Sequence, residues 1–470
     1  MTQAVPRRPN RVLAAFAASC LPYAALGLPV YVTLPEFYSD HIGVSQAFVG
    51  LVFLLVRLAD VVVDPFLGML IDRTSTRWGR YRVWMGIGMP ILMGSVFMLF
   101  MVAKGASAAY LTTWLVIMYI GYSISLLSQM SWASVLSPDY NERSRIYAWW
   151  QVANIVGVLA VLAIPPIVMQ GDSSKYVDAV HAQGWFILIA LPVTLTITFL
   201  FTPEPRSSAP PDHGSLRAYV DLFRLPAIRR LLASDLMLGA GRGTVGVLFF
   251  YFFEQARGFE RADTTILLPV YFVAGLVGAP MWAWLAQRIG KHRALAAASV
   301  FFAAGLAATG YLIPHGNLPA TATALFVTGL AFGAADLLLR AMMADVSDLV
   351  RLEQNADRTG LLFSVLNATS KIGYAASVLT YAGLDAAGFV TEAEAKKAAE
   401  AGQTLTNSPM VITLLEAAFV GLPAVLLLAS AWVLRGYPLD ANRHAEIRDA
   451  LAARETAPLD VTPPLPEGKA

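Results

Sequence analysis

The sequence contains a single cysteine, Cys20, which excludes an internal disulfide bond. Charged side chains are also scarce: they make up 14% of the chain, whereas soluble domains carry about 25%. Hydrophobic residues account for 57% of the 470 positions. This composition indicates a membrane protein that crosses the bilayer many times.

Histidine is rare as well, and its positions argue against a metal centre. The six histidines fall in predicted loops or tails without the spacing of metal ligands: His41, His181, His213, His292, His315 and His444. No pairing of a nucleophile with a general base stands out in the apolar segments. We therefore expect neither an enzyme nor a cofactor. The basic residues follow the loops of the chain, so we expect no nucleic-acid partner.

Apolar runs long enough to span a bilayer as helices dominate the chain. We count twelve: 12–35, 44–70, 83–103, 108–136, 145–169, 184–202, 230–254, 265–287, 294–313, 319–347, 359–384 and 409–434. Residues 1–11 are polar and basic, and no cleavable signal is apparent. The sequence thus predicts an all-α membrane protein with twelve transmembrane helices. Prolines in the first and fifth runs predict bent helices there.

Basic residues alternate between the loops in a way that predicts the topology. One set of loops holds Arg7, Arg8, Arg11, Arg73, Arg77, Arg80, Arg82, Arg143, Arg145, Arg206, Arg217, Arg224, Arg229, Arg230, Arg288, Lys291, Arg293, Arg351 and Arg358. The other set holds only Lys104, Lys175, Arg257, Arg261, Lys396 and Lys397. Because cytoplasmic loops are richer in Lys and Arg, both termini are predicted to be cytoplasmic. We expect a monomer in the cell (inner) membrane, with the lipid bilayer as its surroundings.

A stretch rich in Pro and Ser, residues 203–216, divides the twelve runs into two sets of six. The predicted organisation is a six-helix bundle over 1–202, a cytoplasmic linker over 203–229, a second six-helix bundle over 230–436 and a cytoplasmic tail over 437–470.

The second run carries two acidic residues, Asp60 and Asp64, one helical turn apart. Arg57 falls on the same predicted face, and the opposite face is apolar. A carboxylate near the bilayer midplane costs at least about 2.5–3.5 kcal/mol unless a partner or water meets it. Two interpretations remain: a cation or proton site inside the bundle, or a buried structural ion pair with Arg57.

The loops after the second and eighth runs resemble each other. The first contains Asp72-Arg73 and then Gly79-Arg80; the second contains Gln287-Arg288 and then Gly290-Lys291. Parallel repeats of this kind recur in transporters, and the basic residues suit the C-terminal ends of helices. We predict a gate or conformational role for Arg57, Asp72, Arg73, Arg80, Arg288 and Lys291; the alternative is a pair of ordinary basic loops.

Three motifs in this order resemble the major facilitator superfamily, and within it the glycoside–pentoside–hexuronide:cation symporters of the melibiose-permease type. They are Arg57-Leu-Ala-Asp60-Val-Val-Val-Asp64-Pro65 with Arg77-Trp78-Gly79-Arg80, then Trp132 followed by Pro138-Asp139 and Glu142-Arg143-x-Arg145, then Ala344-Asp345-x-x-Asp348 leading to Lys371-x-Gly373. The resemblance covers all twelve runs. It implies two pseudo-symmetric six-helix bundles and uptake of a sugar coupled to a cation.

The resemblance also implies site residues. Lys371 would approach Asp60 and Asp64 across the cavity, and Ser125 would help to coordinate the cation. Ser128, Gln129 and Trp132 form a stripe that would bind a sugar, with Trp132 stacking on the ring. For the serines, hydrogen bonding between helices is an open alternative.

Further charged residues in or near the spans leave alternatives open. Arg145 matches a residue near the cavity, but with Glu142 and Arg143 it equally forms a gate cluster. Arg242 binds substrate or pairs with an acid on another helix. Asp336 is a substrate candidate, or it pairs with Arg340 one turn later.

The sequence departs from the family pattern at several places. Ala24 and Ser128 replace the carboxylates that grip sugar hydroxyls, Val63 replaces an asparagine that serves as a sodium ligand, and Asp336 replaces a tryptophan. A proton needs one carboxylate, whereas Na⁺ needs several converging oxygens, so we predict H⁺ as the coupling ion, with Na⁺ at Asp60 and Asp64 as the alternative.

Arg242, Lys371 and Arg145 make a hexuronide possible as the substrate. A symporter of a non-sugar solute, such as a lipid-like molecule or another organic anion, and a passive facilitator are the competing functions.

Overall fold

The structure is a computed structural model that describes residues 7–31, 33–170, 172–205, 221–390 and 403–456. Within these ranges every regular element is helical. Much of the predicted linker (206–220) and the end of the predicted tail (457–470) lie outside the described residues. The same holds for His213 and for four basic residues used in the topology prediction: Arg206, Arg217, Lys396 and Lys397.

The described α-helices are numbered in chain order. They are α1 (Asn10–Ala18), α2 (Cys20–Tyr31), α3 (Thr33–Glu36), α4 (Gln46–Arg73), α5 (Tyr81–Phe100), α6 (Ala108–Val135), α7 (Tyr140–Met169), α8 (Tyr176–Phe201), α9 (Pro226–Tyr251), α10 (Arg261–Ile289), α11 (Lys291–Tyr311), α12 (Leu318–Gly329), α13 (Ala334–Gln354), α14 (Thr359–Ala386), α15 (Pro409–Glu416), α16 (Leu422–Val433) and α17 (Ala441–Thr456). Short π-helical segments lie at Phe37–Ile42, Phe252–Ala256 and Ala417–Gly421.

Most of these helices have the length and apolarity of membrane spans. Ten helical stretches in the described part of the chain meet both requirements. Helices α4 and α14 have 28 residues each, more than the roughly 20 that a span needs. The protein is therefore a multi-pass membrane protein.

The run 319–347, predicted as one helix, is divided into α12 and α13. Helix α12 ends at Gly329, and the chain turns before α13 begins at Ala334. At the turn the indole N–H of Trp282 donates to the carbonyl oxygen of Leu330 at 2.8 Å. A Cβ on Gly329 would lie 2.6 Å from the carbonyl oxygen of Tyr271. Glycine thus lets α10 approach the chain closely, and Trp282 satisfies a carbonyl at the break.

The first run, 12–35, is likewise divided, as its prolines predict. Helix α1 ends at Ala18, and Ser19 Oγ donates to the carbonyl oxygen of Phe16 at 3.0 Å. Pro22 lies in the first turn of α2, where its missing N–H has no intrahelical acceptor. Pro29 lies near the end of α2, shortly before α3.

The most extensive contacts between the chain before residue 205 and the chain after residue 225 are made by two helix pairs. Helix α4 packs along α14, and α7 packs along α10. Helices α4 and α10 are the two that end in the repeated basic motif, so the two contacts correspond to each other under the predicted repeat. Asp60, Asp64 and Lys371, considered below, lie at the interface of α4 and α14.

Helices α4 and α14 approach each other at two glycines. A Cβ on Gly68 would lie 2.6 Å from the carbonyl oxygen of Gly360, and a Cβ on Gly360 would lie 2.7 Å from that of Gly68. Any side chain here would displace one backbone from the other. The closed packing at this end of α4 therefore depends on both glycines.

Helix α4 has one apolar exposed face and one buried acidic face. Half or more of the side chain is exposed at Leu51, Leu54, Leu55, Leu58, Val62 and Phe66. Asp60 and Asp64 are 4% and 0% exposed. The acids therefore point into the protein, and the apolar face suits contact with lipid.

We predict that Gly360→Val separates α4 from α14 at this end, because the new side chain meets the backbone of Gly68. Spin labels on Arg77→Cys and Glu353→Cys, in a Cys20→Ser background, should report a longer distance by electron paramagnetic resonance. Gly86→Val is the matched control, since a Cβ there meets nothing within 4 Å. Equal distance distributions for both variants would contradict the close packing.

Candidate functional site

Three helices bring five polar side chains together in the middle of the protein; we call them the carboxylate cluster. They are Asp60 and Asp64 on α4, Ser123 on α6, and Asn367 and Lys371 on α14. The ammonium group of Lys371 donates to Asp60, and it donates to Asp64 Oδ2 at 2.7 Å. Ser123 Oγ donates to Asp60 Oδ1 at 2.8 Å, and Asn367 Nδ2 donates to Asp64 Oδ2 at 2.6 Å.

Helical spacing explains how each side chain reaches the cluster. Asp60 and Asp64 are four residues apart on α4, and Asn367 and Lys371 are four apart on α14. Residues at this spacing share one helix face. Because α4 packs along α14, the two faces meet, and each carboxylate obtains a donor from the other half of the chain.

The carboxylate cluster is buried and short of positive charge. The side chains of Asp60, Asp64 and Lys371 are 3%, 0% and 14% exposed. Two carboxylates share one ammonium, so the three groups carry a formal charge of −1. Asp64 Oδ1 has no hydrogen-bond partner among the described residues. A buried carboxylate oxygen without a hydrogen-bond partner can bind a proton or a small cation.

Sequence reasoning missed Ser123 and Asn367. It pointed to Ser125, which is fully buried and faces Gly88 on α5. Ser123 lies on the same helix, two residues earlier, and the rotation of α6 decides which serine meets Asp60. The position of Asn367 could have been predicted from the sequence, because it precedes Lys371 by one helical turn and so shares its helix face.

A second group of charges joins α9 to α13; we call it the arginine pair. Arg242 Nη1 donates to Asp336 Oδ2 at 2.8 Å, and Arg340 Nη1 donates to Asp336 Oδ1 at 2.9 Å. The ring of Trp150 on α7 lies 4.4 Å from the Arg340 guanidinium carbon. Arg242 therefore pairs with an acidic residue on another helix, and Asp336 also pairs with Arg340 one turn later. These are the structural alternatives that the sequence left open for Arg242 and Asp336.

Asp336 is the most accessible member of this group. Its side chain is 23% exposed, against 3% for Arg242 and 13% for Arg340. Nη2 of Arg242 and Nε of Arg340 are buried without a hydrogen-bond partner among the described residues. Two guanidinium groups with spare donors therefore surround one reachable carboxylate, which suits hydrogen bonding to a polar ligand.

The stripe predicted on the fourth run, now α6, contacts other parts of the first half. Gln129 Nε2 donates to Ser19 Oγ at 2.6 Å, and Trp150 donates to Gln129 Oε1 at 3.2 Å. The Trp132 indole N–H donates to the carbonyl oxygen of Pro203 at 3.1 Å. Trp132 and Ser128 are 0% exposed. In this conformation the protein covers Trp132, so its stacking on a sugar stays a prediction.

Arg145 lies at the beginning of α7, apart from the two clusters described above. Its Nη1 donates to both carboxylate oxygens of Glu142 at 2.9 Å, and its Nη2 donates to the Arg8 carbonyl oxygen at 2.8 Å. These contacts lie within the first half, and Arg143 pairs instead with Asp345 and Asp348, so a gate role for Arg145 with Glu142 stays a prediction. The structure does not place Arg145 beside Arg242 or Lys371.

At the end of α4 that carries the basic motif, Asp72 joins the two halves. Its oxygens accept hydrogen bonds from the backbone N–H groups of Gly360 at 2.7 Å and Leu361 at 2.8 Å. These are first-turn amides of α14, which need acceptors and favour a negative charge. Arg80 bridges Asp72 and Asp357 at 3.8 and 3.1 Å. We call Asp72, Arg80 and Asp357 the first latch.

A second latch joins the beginnings of α7 and α11 to α13. Arg143 contacts Asp345 at 3.2 Å and Asp348 at 2.8 Å, and Lys291 contacts Asp345 at 2.5 Å. His444 on α17 lies 3.0 Å from Asp348. All five side chains are at most 3% exposed.

Sequence reasoning did not assign site roles to Asp345, Asp348, Asp357 or His444, although the first two stand in a quoted motif. Arg288 and Arg73, by contrast, are exposed. Arg288 lies against the ring of Trp284, at 4.4 Å from its centroid, and the structure does not bring it into either latch. The predicted gate residues that meet across the two halves are thus Asp72, Arg80, Arg143 and Lys291.

Near these latches, Glu204 follows α8 and caps α5. Its carboxylate accepts hydrogen bonds from the backbone N–H groups of Tyr81 at 2.8 Å and Arg82 at 3.1 Å. Burial raises the pKa of the Glu204 carboxyl above its usual value. The cap fixes the beginning of the predicted linker against the first basic loop.

Solved structures resemble this arrangement of helices. A Major Facilitator Superfamily transporter, FucP, in the outward conformation, matches with a TM-score of 0.64 and 14% identity, over 91% of this chain and 98% of that chain. The proton:xylose symporter XylE matches with a TM-score of 0.63 and 12% identity, over 94% and 98%. The fold is that of the major facilitator superfamily.

Sequence comparisons then give the family. The model of the family described as MFS/sugar transport protein matches residues 15–441. The isoprimeverose transporter of Lactiplantibacillus pentosus is 26% identical over 72% of each chain. The lactose permease of Lactobacillus delbrueckii subsp. bulgaricus is 27% identical over 84% of this chain and 64% of that protein. The glucuronide carrier protein homolog of Escherichia coli is 25% identical over 73% and 76%. The chain belongs to the glycoside–pentoside–hexuronide:cation symporter family of MFS sugar transporters, and it is not an enzyme.

We predict that Lys371→Gln destabilises the protein by about 3–5 kcal/mol, because it leaves two buried carboxylates without their ammonium. Asp60→Asn in the same chain should restore part of that loss by removing one charge. The measurement is the unfolding midpoint in detergent for the two single variants and the double variant. Lys104→Gln, in an exposed loop, is the control. Strictly additive effects of the two substitutions would argue against a shared cluster.

Proposed function

We propose that the protein is a symporter that couples the inward flow of one H⁺ to the uptake of a sugar or glycoside by alternating access. The observation that carries the proposal is the position of Lys371, whose single ammonium lies between two buried carboxylates at the interface of the two halves. A buried pair of carboxylates that shares the ammonium of Lys371 is a candidate site for a cation to bind and leave.

The proposed topology has twelve spans with both termini in the cytoplasm of a cell membrane. The ten apolar helical stretches together with α4 and α14 support this count. The proposed units are 1–202, the linker 203–229, the second bundle 230–436 and the tail 437–470. The latches then face the cytoplasm, because their end carries the basic loops. We further propose that the protein acts as a monomer.

In the proposed mechanism, protonation at the carboxylate cluster changes how firmly α4 holds α14. With both carboxylates ionised, Lys371 is attracted to each, and the unpartnered oxygen of Asp64 has no donor among the described residues. A proton on one carboxylate neutralises the cluster and removes the repulsion between Asp60 and Asp64. The attraction for Lys371 then weakens, and the helices can separate.

Two features favour H⁺ over Na⁺. Val63 stands where the family has an asparagine ligand, and the ammonium of Lys371 lies against both carboxylates, where a bound Na⁺ would have to sit. Ser123 and Asn367 supply further oxygens, so Na⁺ remains the alternative ion. A sodium ion would need to displace the ammonium, whereas a proton need not.

The latches account for the second half of the cycle. Asp72 and Arg143 each bind the opposite half of the chain, so this end opens only when both latches break. Closed latches favour access from the other side, an outward-facing state. Binding of proton and solute supplies contacts that replace the latches as the halves rock about the site.

We place the solute beside the arginine pair, where Asp336 is reachable and the ring of Tyr374 lies against Arg242. Asp235, a buried residue of α9, interacts electrostatically with Arg242 and Arg340, so with Asp336 the four groups are formally neutral. That balance favours an uncharged sugar or glycoside. A hexuronide, whose carboxylate would compete with Asp336 for the arginines, is the alternative substrate.

A symporter of a non-sugar solute and a passive facilitator are the competing functions. Screening the purified protein for thermal stabilisation by sugars, glycosides and uronides at several pH and Na⁺ values identifies the solute class. Accumulation of that solute against its gradient, abolished by an uncoupler, separates symport from passive transport.

We expect addition of the identified solute to proteoliposomes without Na⁺ to move protons with it, because the carboxylate cluster accepts one proton per cycle. A pH-sensitive dye measures the movement. Asp64→Asn should abolish accumulation while solute exchange persists, and Asp221→Asn, outside the spans, should behave as wild type. Uptake that strictly requires Na⁺ and moves no protons would overturn the choice of ion.

We expect Asp336→Asn to weaken binding of a neutral glycoside at least tenfold, because a hydrogen bond to a charged group contributes about 1.5–3 kcal/mol. For a hexuronide the same substitution should strengthen binding, since it removes the competing carboxylate. Solute-induced quenching of tryptophan fluorescence measures both affinities. Tighter binding of the glycoside by the variant would rule out the neutral assignment.

A further inference from the structure

A cavity of about 670 Å³ lies at the latch end of the second half, away from the carboxylate cluster and the arginine pair. Its walls come from the turn between α10 and α11 and from the turn between α16 and α17. Gly290 forms the first turn with φ of 90°, a conformation that favours glycine. Tyr140, at the beginning of α7, lines the cavity from the first half.

The cavity is lined by an excess of positive charge. Arg288, Arg293 and Arg435 line it, and Asp440 is its one acidic lining residue among those described. In the described part of the chain, no carboxylate lies within ion-pair distance of these three arginines. Three guanidinium groups without acidic partners in one cavity are suited to an anion with several oxygens, such as a phosphate diester.

Buried polar atoms in the cavity wall also lack partners. Tyr437 is 6% exposed, and its hydroxyl has no hydrogen-bond partner among the described residues. The buried Nδ1 of His292 is in the same state, and the two rings lie 5.9 Å apart. Buried polar groups without partners usually mark a ligand or water that satisfies them. Both residues line the cavity.

Aromatic residues place the cavity at the level of lipid headgroups. Trp284 is 53% exposed, and the Arg288 guanidinium carbon lies 4.4 Å from its ring centroid. Trp432, in the last turn of α16, is 68% exposed and precedes Arg435 by three residues. Exposed tryptophans at helix ends are typical of the membrane–water interface.

We propose that this cavity binds the phosphate-bearing headgroup of an anionic phospholipid. Basic pockets between transmembrane helices are known to take such headgroups. Exposed tryptophans beside the arginines give the acyl chains an apolar surface, which a soluble phosphate would not need. The site also contacts the second latch, because the Tyr140 hydroxyl accepts a hydrogen bond from the Lys291 backbone N–H at 3.0 Å.

The test uses the full-length protein in detergent. Phosphatidylglycerol or cardiolipin is added at increasing concentration, and the unfolding midpoint is recorded; phosphatidylcholine and inorganic phosphate are the comparison probes. We expect saturable stabilisation by the two anionic lipids only. Each Arg→Gln substitution at 288, 293 or 435 should lower the apparent affinity on the order of fivefold. Tyr437→Phe removes only the hydroxyl and should also weaken binding.

Arg443→Gln is the matched control, because Arg443 is an exposed arginine of α17 that does not line the cavity. It should retain the full lipid effect. Equal stabilisation by phosphatidylcholine, or an unchanged response of the triple arginine variant, would overturn the proposal. Stabilisation by inorganic phosphate alone, of the same size, would show an anion site without a lipid and would overturn it as well.

Discussion

One ammonium group between two carboxylates connects the halves of this protein. Lys371 comes from α14, and Asp60 and Asp64 come from α4, so the contact exists only where the two helices pack together. Buried charges of this kind contribute little net stability, because desolvation offsets much of the attraction. That balance suits a transporter, since a modest change at the site is then sufficient to release the two helices.

The latch end is held by different physical means. Asp72 accepts two backbone hydrogen bonds at the beginning of α14, and Gly68 and Gly360 let the two backbones meet there. Arg143 adds ion pairs across the second interface, and Lys291, which pairs with Asp345 in its own half, contacts Tyr140 of the first half. These contacts are numerous but individually exchangeable. The central cluster and the first latch are formed together in this structure and both join α4 to α14, so these helices separate at the latch end only when both sets of contacts are released.

Part of this arrangement follows from the sequence. Apolar runs predicted the helices to within several residues, because a span needs about 20 apolar positions and polar loops end it. The spacing of Asp60 and Asp64 predicted a shared buried face. The break between α12 and α13 was not predicted; the carbonyl oxygen of Leu330 at this turn is hydrogen-bonded by Trp282 of another helix, a contact that the local sequence does not reveal. Ser123 was missed in favour of Ser125, because sequence does not give the rotation of α6 relative to α4. For the same reason Gln129 and Trp132 were expected at the cavity, whereas they contact Ser19 and Pro203.

The sequence alone determined that the chain is a helical membrane protein, roughly where its apolar helices lie, and which ionisable residues fall inside them. The physical reason is the high free-energy cost of placing a charged side chain in the bilayer. Because such residues are rare in membrane spans, their positions are informative without coordinates. Only the tertiary structure decided the partners: Asn367 on Asp64, Arg242 and Arg340 on Asp336, and Asp345 and Asp348 on Arg143. Each of these contacts except the Arg340 pair joins separate helices, and their choice depends on how far each helix is rotated and shifted against its neighbour.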